Sequence, residues 1–242
     1  KFQLPSYSII ASSNASISKS LCLILRRAQA LNPYFLKSQG GQVKTFLEFN
    51  RLWGLGSSST LVSNIAQWAN VNAYDLLEHS FGGSGYDLAC AVSKNPICYT
   101  RNKSNPLVEK VSFNPTFREN LYFIFLNQKQ SSLDAIKGIK PSAFSKKSLK
   151  ELDNITNDIL RCKTQESFNF LIEKHEEIIA GILQKKRVKE LLFSDFEGAI
   201  KSLGAWGGDF IIASGDINSP SYFNQKGFET VIPFKEMIYS CK

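Results

Sequence analysis

Three glycine-rich turns carry the candidate reactive and ligand-binding groups of this chain. The first runs Gly54-Leu55-Gly56-Ser57-Ser58-Ser59-Thr60. Glycines that can take φ > 0 let a backbone approach an anion. A helix starting there would aim unpaired N–H groups and a positive dipole end at phosphate, with serine hydroxyls as further donors or a Mg²⁺ ligand. The same letters also suit an ordinary turn and helix cap. The second turn, Gly82-Gly83-Ser84-Gly85-Tyr86-Asp87, gives one carboxylate backbone freedom and ligand access. Asp87 could therefore serve as a base or metal ligand, although local sequence alone favours a capping role. The third, Gly204-Ala205-Trp206-Gly207-Gly208-Asp209, precedes a very apolar segment. Close packing on a ligand or on a neighbouring helix explains its glycines equally well.

Several better-known sites are excluded by their missing letters. No Gly-Lys-Ser/Thr ends the first turn, and no third glycine completes a dinucleotide fingerprint. Gly208-Asp209-Phe210 is followed by Ile211, not glycine, and Gly83-Ser84-Gly85 lacks the outer glycine of a nucleophile elbow. His175-Glu176-Glu177 has no second histidine a helical turn away, and with only His79 and His175 and no Cys-x-x-Cys pair a structural zinc site is not expected.

Periodicity predicts the helices and strands around these turns. Residues 16–31 repeat apolar side chains at helical spacing, with Asn14 or Ser16 to cap and Pro33 beyond the end. Residues 43–52 are rich in aromatic and branched types and predict a strand running into the first turn, with a helix after it. A short helix is expected near 74–79, a weak strand at 108–113 and a buried strand at 120–126. Helices follow near 146–162, 165–184 and 188–202, then strands at 210–213 and near 229–233.

With 242 residues, 43% apolar and 12% aromatic, the chain can bury one large core or two modest ones. No run approaches the ~20 apolar residues that span a bilayer, and the first residues do not form a signal series. A soluble cytoplasmic protein is expected, with no membrane partner. Five scattered cysteines (22, 90, 98, 162 and 241) read as reduced thiols packed as small hydrophobes. The net charge of +8 is dispersed, with its densest runs at 137–150 and 185–189 interleaved with helical apolar positions. Solvated helix faces, not nucleic-acid binding, are expected there.

In this order the three turns resemble the GHMP kinase family: galactokinase, homoserine kinase, mevalonate kinase and phosphomevalonate kinase. Gly54-Leu55-Gly56-Ser57-Ser58 is similar to the family's nucleotide loop, Ser84-Gly85-Tyr86-Asp87 to the segment around its catalytic aspartate, and residues 201–208 to its C-terminal glycine loop. The wording around 53–60, 81–91 and 126–130 resembles the bacterial subfamily named for a Gly-Tyr-Asp-Ile-Ala motif, with Leu88 in place of the isoleucine.

The resemblance implies an α+β, two-domain fold. A ribosomal-protein-like left-handed βαβ domain would cover 1–115 and a ferredoxin-like domain 116–242, with ATP and an acidic small alcohol between them. It assigns ATP binding to Gly54, Leu55, Gly56, Ser57, Ser58 and Ser59, catalysis to Asp87, and closure over phosphates or acceptor to Gly204, Ala205, Trp206, Gly207 and Gly208. Mg²⁺ would be held by Ser58 and an acidic residue, with Asp75 and Glu78 the nearby candidates and Glu78 preferred. The family's first motif, Gly-Lys-Leu…Gly-Glu, has no match, as expected of a chain lacking the first strands or of an inactive relative. The implied reaction is transfer of the ATP terminal phosphoryl group to mevalonate, with phosphomevalonate the second choice, by a monomer or homodimer. The alternative is a non-catalytic ATP- or metabolite-binding protein of the same fold.

Overall fold

The computed structural model describes residues 1–38, 40–102, 105–128, 143–204, 206 and 208–238. The chain divides into two compact units, Lys1–Arg51 with Leu55–Val111, and Leu52–Gly54 with Ser112–Lys242.

The first unit is mainly helical. A small antiparallel pair, β1 (Phe2–Gln3) and β2 (Ser8–Ile9), precedes α1 (Ala15–Leu31). Next come α2 (Ser57–Ala69), α3 (Ala73–Glu78), α4 (Tyr86–Val92) and the antiparallel pair β3 (Ile97–Thr100) and β4 (Leu107–Lys110). The helices form because apolar residues recur every three to four positions. Ile24, Leu25 and Ala28 of α1, Val62, Ile65, Ala66 and Ala69 of α2, and Leu76, Leu77 and Leu88 of α3 and α4 close on one core.

The strand expected at 43–52 is not formed, because a strand persists only where a neighbour completes its hydrogen bonds. Val43 is 61% exposed and Phe46 88% exposed, and 51–53 is a single 3-10 turn. Among the described residues this unit therefore holds two separate antiparallel pairs instead of a βαβ arrangement.

The second unit is built on a four-stranded antiparallel sheet in the order β6-β7-β5-β8. Its strands are β5 (Leu121–Phe125), β6 (Ala199–Ser202), β7 (Phe210–Ser214) and β8 (Val231–Pro233). Helices α5 (Lys146–Arg161), α6 (Gln165–Leu183) and α7 (Val188–Leu192) lie between β5 and β6, α8 (Ser219–Gln225) between β7 and β8, and α9 (Phe234–Met237) after β8. The connectivity is thus β-α-β-β-α-β. β5 is apolar on both faces because it is an inner strand covered on both sides.

The helix expected over 188–202 stops at Leu192. Residues 199–202 pair with β7 instead, and a four-residue apolar stretch carries too little periodicity to separate strand from helix. Two of the four cations in the run at 185–189 are paired within the fold: Arg187 Nη1 lies 2.8 Å from Glu173 and Lys189 Nζ 3.0 Å from the same carboxylate. Residues 137–142 of the other basic run lie outside the described residues. Cys22, Cys98 and Cys162 are half-buried and Cys90 is exposed, so none of these four thiols is the fully buried core residue expected, and all four are free. Cys241 lies outside the described residues.

Candidate functional site

Helix starts in the first unit fall into two kinds. α1 and α3 begin under asparagine caps: Asn14 Oδ1 accepts from Ile17 N at 3.0 Å and Asn72 Oδ1 from Tyr74 N at 2.8 Å. α2 and α4 begin at left-handed glycines that offer no side chain, Gly56 (φ 71°) and Gly85 (φ 80°). In α2 the first intrahelical bond runs from Thr60 N to Gly56 O at 3.0 Å. The N–H groups of Ser57, Ser58 and Ser59 therefore open the helix without intrahelical partners, at the positive end of a 13-residue dipole. Ser58 is exposed, and Ser57 and Ser59 are half-buried. Such an end accepts phosphate.

Asp87 is the second residue of α4, which packs against α2. A Cβ placed on Gly56 would lie 3.5 Å from Asp87 Cβ and 3.8 Å from Oδ2, so the carboxylate sits beside the turn that opens α2. The helix cap is Gly85, not Asp87, and among the described residues the Asp87 carboxylate accepts no hydrogen bond. The residue as a whole is exposed, yet partial withdrawal of its carboxyl from water pushes the pKa upward, and no cation among the described residues pulls it back. The turn before it is held by aromatic rings. Tyr99 Oη donates to Ser84 O at 2.7 Å, and a Cβ on Gly85 would meet the same hydroxyl at 2.9 Å and the Tyr74 ring at 3.0 Å.

Glu78 is exposed and lines a groove of ≈430 Å³ with Tyr74, Gly82–Gly85 and Arg101; neither Ser58 nor Asp87 lines it. Asp75 lies in the first turn of α3, with its N–H bonded to Asn72 at 3.3 Å. The carboxylate next to the α2 turn is thus Asp87, and among the described residues no group of three or more His, Cys, Asp or Glu gathers as a metal cluster.

In the second unit, Trp53 packs edge-on against Phe210 at 5.6 Å and tilted against Phe125 at 6.5 Å. The room left by the missing side chain of Gly54 (φ 67°) is taken by the Asp209 carboxylate. Asp209 is itself 8% exposed and left-handed (φ 47°). In the turn between β6 and β7, Gly204 is exposed, Trp206 is half-buried and left-handed (φ 48°), and Gly208 is buried. Ala205 and Gly207 lie outside the described residues. Trp206 Nε1 donates to Glu176 Oε1 at 3.1 Å.

Glu176 is 1% exposed, a buried carboxylate that no local motif singles out. The available signal is its position: Phe168, Ile172 and Glu176 follow one another at four-residue spacing along the buried stripe of α6, so a carboxylate stands where a hydrophobe is expected. A groove of ≈610 Å³ in this unit, lined partly by Glu166, Asp195, Glu197 and Asp216, contains none of the expected site residues.

No protein-family model matches the chain, and no curated protein matches it in sequence. The fold does have a counterpart: this mixed α/β chain has the fold of a GHMP kinase. One solved structure it is similar to is Streptococcus pneumoniae phosphomevalonate kinase in complex with phosphomevalonate and AMPPNP, with a TM-score of 0.62 and 18% sequence identity over 89% of this chain and 78% of that one. At that identity the likeness is one of fold. Among the described residues no helix is long and apolar enough to cross a membrane.

Proposed function

We propose that the chain is an ATP- and Mg²⁺-dependent phosphotransferase acting on a small acidic alcohol, with mevalonate the leading acceptor and phosphomevalonate the second. In this reading it belongs with the GHMP kinases of the Gly-Tyr-Asp-Ile-Ala type. The observation that carries the reading is the pairing, within one unit, of the glycine-started end of α2 with the Asp87 carboxylate beside Gly56. Phosphoryl transfer needs mainly positioning and neutralised charge, and these parts offer both an anion cradle and a base.

The Ser57, Ser58 and Ser59 N–H groups bind the ATP phosphates. Asp87 orients the acceptor hydroxyl and takes its proton as the acceptor oxygen bonds to the terminal phosphorus and the bond to the ADP oxygen breaks. A carboxyl held above its usual pKa is a stronger base than a solvated one, which suits that step. The Ser58 hydroxyl and Asp87 carboxylate have the oxygen character Mg²⁺ prefers, and an ion there would neutralise phosphate charge. Arg101, whose Nη2 donates to Gly83 O at 3.4 Å, brings a cation to the Gly82–Gly85 turn and suits an acidic acceptor.

The test is ADP release by the full-length protein over a panel of mevalonate, phosphomevalonate, homoserine, shikimate and simple sugars. Turnover with mevalonate or phosphomevalonate is expected. ATP binding without turnover on any acceptor would favour a binding protein instead.

A further inference from the structure

The carboxylate of Glu176 is the most deeply buried charged group that the proposed phosphotransfer does not use. A buried carboxylate is tolerated only when its oxygens are satisfied, and here each has a partner. Oε2 accepts from Ser202 Oγ at 3.0 Å and Oε1 from Trp206 Nε1 at 3.1 Å, with Lys201 Nζ at 3.7 Å from Oε1. Lys201 and Ser202 belong to β6, so two of the three partners tie α6 to the sheet. The third lies beyond the strand, in the glycine turn. Burial pushes the Glu176 carboxyl up and the Lys201 ammonium down, each partly opposed by the other's charge.

A hydrophobe at this stripe position would complete the packing of α6 but could accept nothing from an indole. Trp206 also adopts a left-handed backbone (φ 48°), rare for a bulky side chain and held only where surrounding contacts over-determine it. The carboxylate supplies such a contact.

We propose that Glu176 is a positioning residue for Trp206, between β6 and β7: it fixes the indole and, through it, the neighbouring described positions Gly204 and Gly208. The kinetic consequence rests on the phosphotransferase reading; the placement of Trp206 does not.

The test follows Trp206 alone, in a Trp53→Phe/Trp68→Phe background. Glu176→Leu with Lys201→Met removes both buried charges together, so neither is left unpaired. Glu176→Gln with Lys201→Met keeps an amide oxygen for the indole and an amide group for the Ser202 hydroxyl. The leucine variant should at least double acrylamide quenching of Trp206 and lower kcat about tenfold, while the glutamine variant stays near the parent in both. Unchanged quenching in the leucine variant, or a glutamine variant as loose as the leucine one, overturns the proposal. If the parent turns over no acceptor, the phosphotransferase reading fails on its own, and quenching still decides the role of Glu176. If the leucine variant does not melt cooperatively, Trp206→Phe supplies the decision. It should reproduce the kcat loss in the parent and in the Glu176→Gln/Lys201→Met protein alike, because the amide oxygen still holds the indole in the second; a near-parental kcat in either overturns the proposal.

Discussion

The glycine turns of the two units hold their chemistry in opposite ways. In the first unit, Gly56 opens α2 without a capping side chain, and the carboxylate beside it accepts no hydrogen bond among the described residues. In the second unit, the turn around Trp206 is bound to a carboxylate that is 1% exposed and has a partner on each oxygen. Open groups remain available to a ligand. Satisfied groups fix geometry. Similar glycine-rich letters thus serve presentation in one place and support in the other, and surrounding contacts tell them apart.

The largest effect should come from the open carboxylate. Asp87→Asn keeps volume and a carbonyl but removes basicity, so kcat should fall ~10²–10⁴-fold with ATP affinity and melting temperature nearly unchanged. The sign of its pH dependence is fixed by the raised pKa: the base form disappears as pH falls through a value above the ordinary 3.8. The acidic limb of kcat/KM should therefore lie above that value and vanish in the variant. A near-parental kcat would leave Asp87 as surface charge and break the contrast.

Gly56→Val attacks the cradle itself. At φ 71° a β-branched residue is strained by roughly 1–2 kcal/mol, and its Cβ would stand 3.5 Å from that of Asp87. ATP affinity by calorimetry should weaken at least about tenfold, a change of about 1.4 kcal/mol or more, while the protein still melts cooperatively. Undiminished affinity would remove the α2 turn from nucleotide binding.

How much of this was legible in the sequence depended on how local the cause was. The Asn14 cap, the glycine starts of α2 and α4, and the apolar strand β5 are each specified by a few adjacent residues. The segment 43–52 has strand-like composition, but a strand also needs a partner, and pairing is not encoded in the segment. Residues 199–202 are too few to show a period. Glu176 belongs to no local motif; its signal is a charge at a stripe position of α6, which matters only once the stripe is known to be buried. Asp209 could not be tied to Gly54 without the fold, because some 155 positions separate them.

His175 sharpens the contrast from the closed side. Its Nδ1 is buried without a hydrogen-bond partner among the described residues, and burial, with Lys201 nearby, holds its pKa down at about 4 against an ordinary 6.5. Between those values the unfolded chain binds the proton and the folded chain does not. The stability is therefore complete above about pH 6.5 and lost as pH falls toward 4. His175→Gln should flatten that slope by about 2 kcal/mol, allowing for partial solvent screening. The difference between variant and parent is the quantity to read, because the raised carboxyl of neighbouring Glu176 contributes with the opposite sign.

The smallest effect belongs to a helix start that is already satisfied. Asn14 is extended (φ −149°) and its side chain accepts from Ile17 N, so α1 needs nothing from a ligand. Asn14→Ala removes one acceptor at an exposed end where water can replace it, and should cost about 1 kcal/mol in chemical denaturation. ATP affinity should not change, since the lost bond serves only the fold. If presentation to ligand and closure by a cap are separate uses of a helix start, this variant moves stability alone while Gly56→Val moves nucleotide affinity. A nucleotide defect in Asn14→Ala comparable to that of Gly56→Val would mean that both variants act through general loosening of the first unit, and the distinction between capped and glycine-started ends would lose its functional meaning.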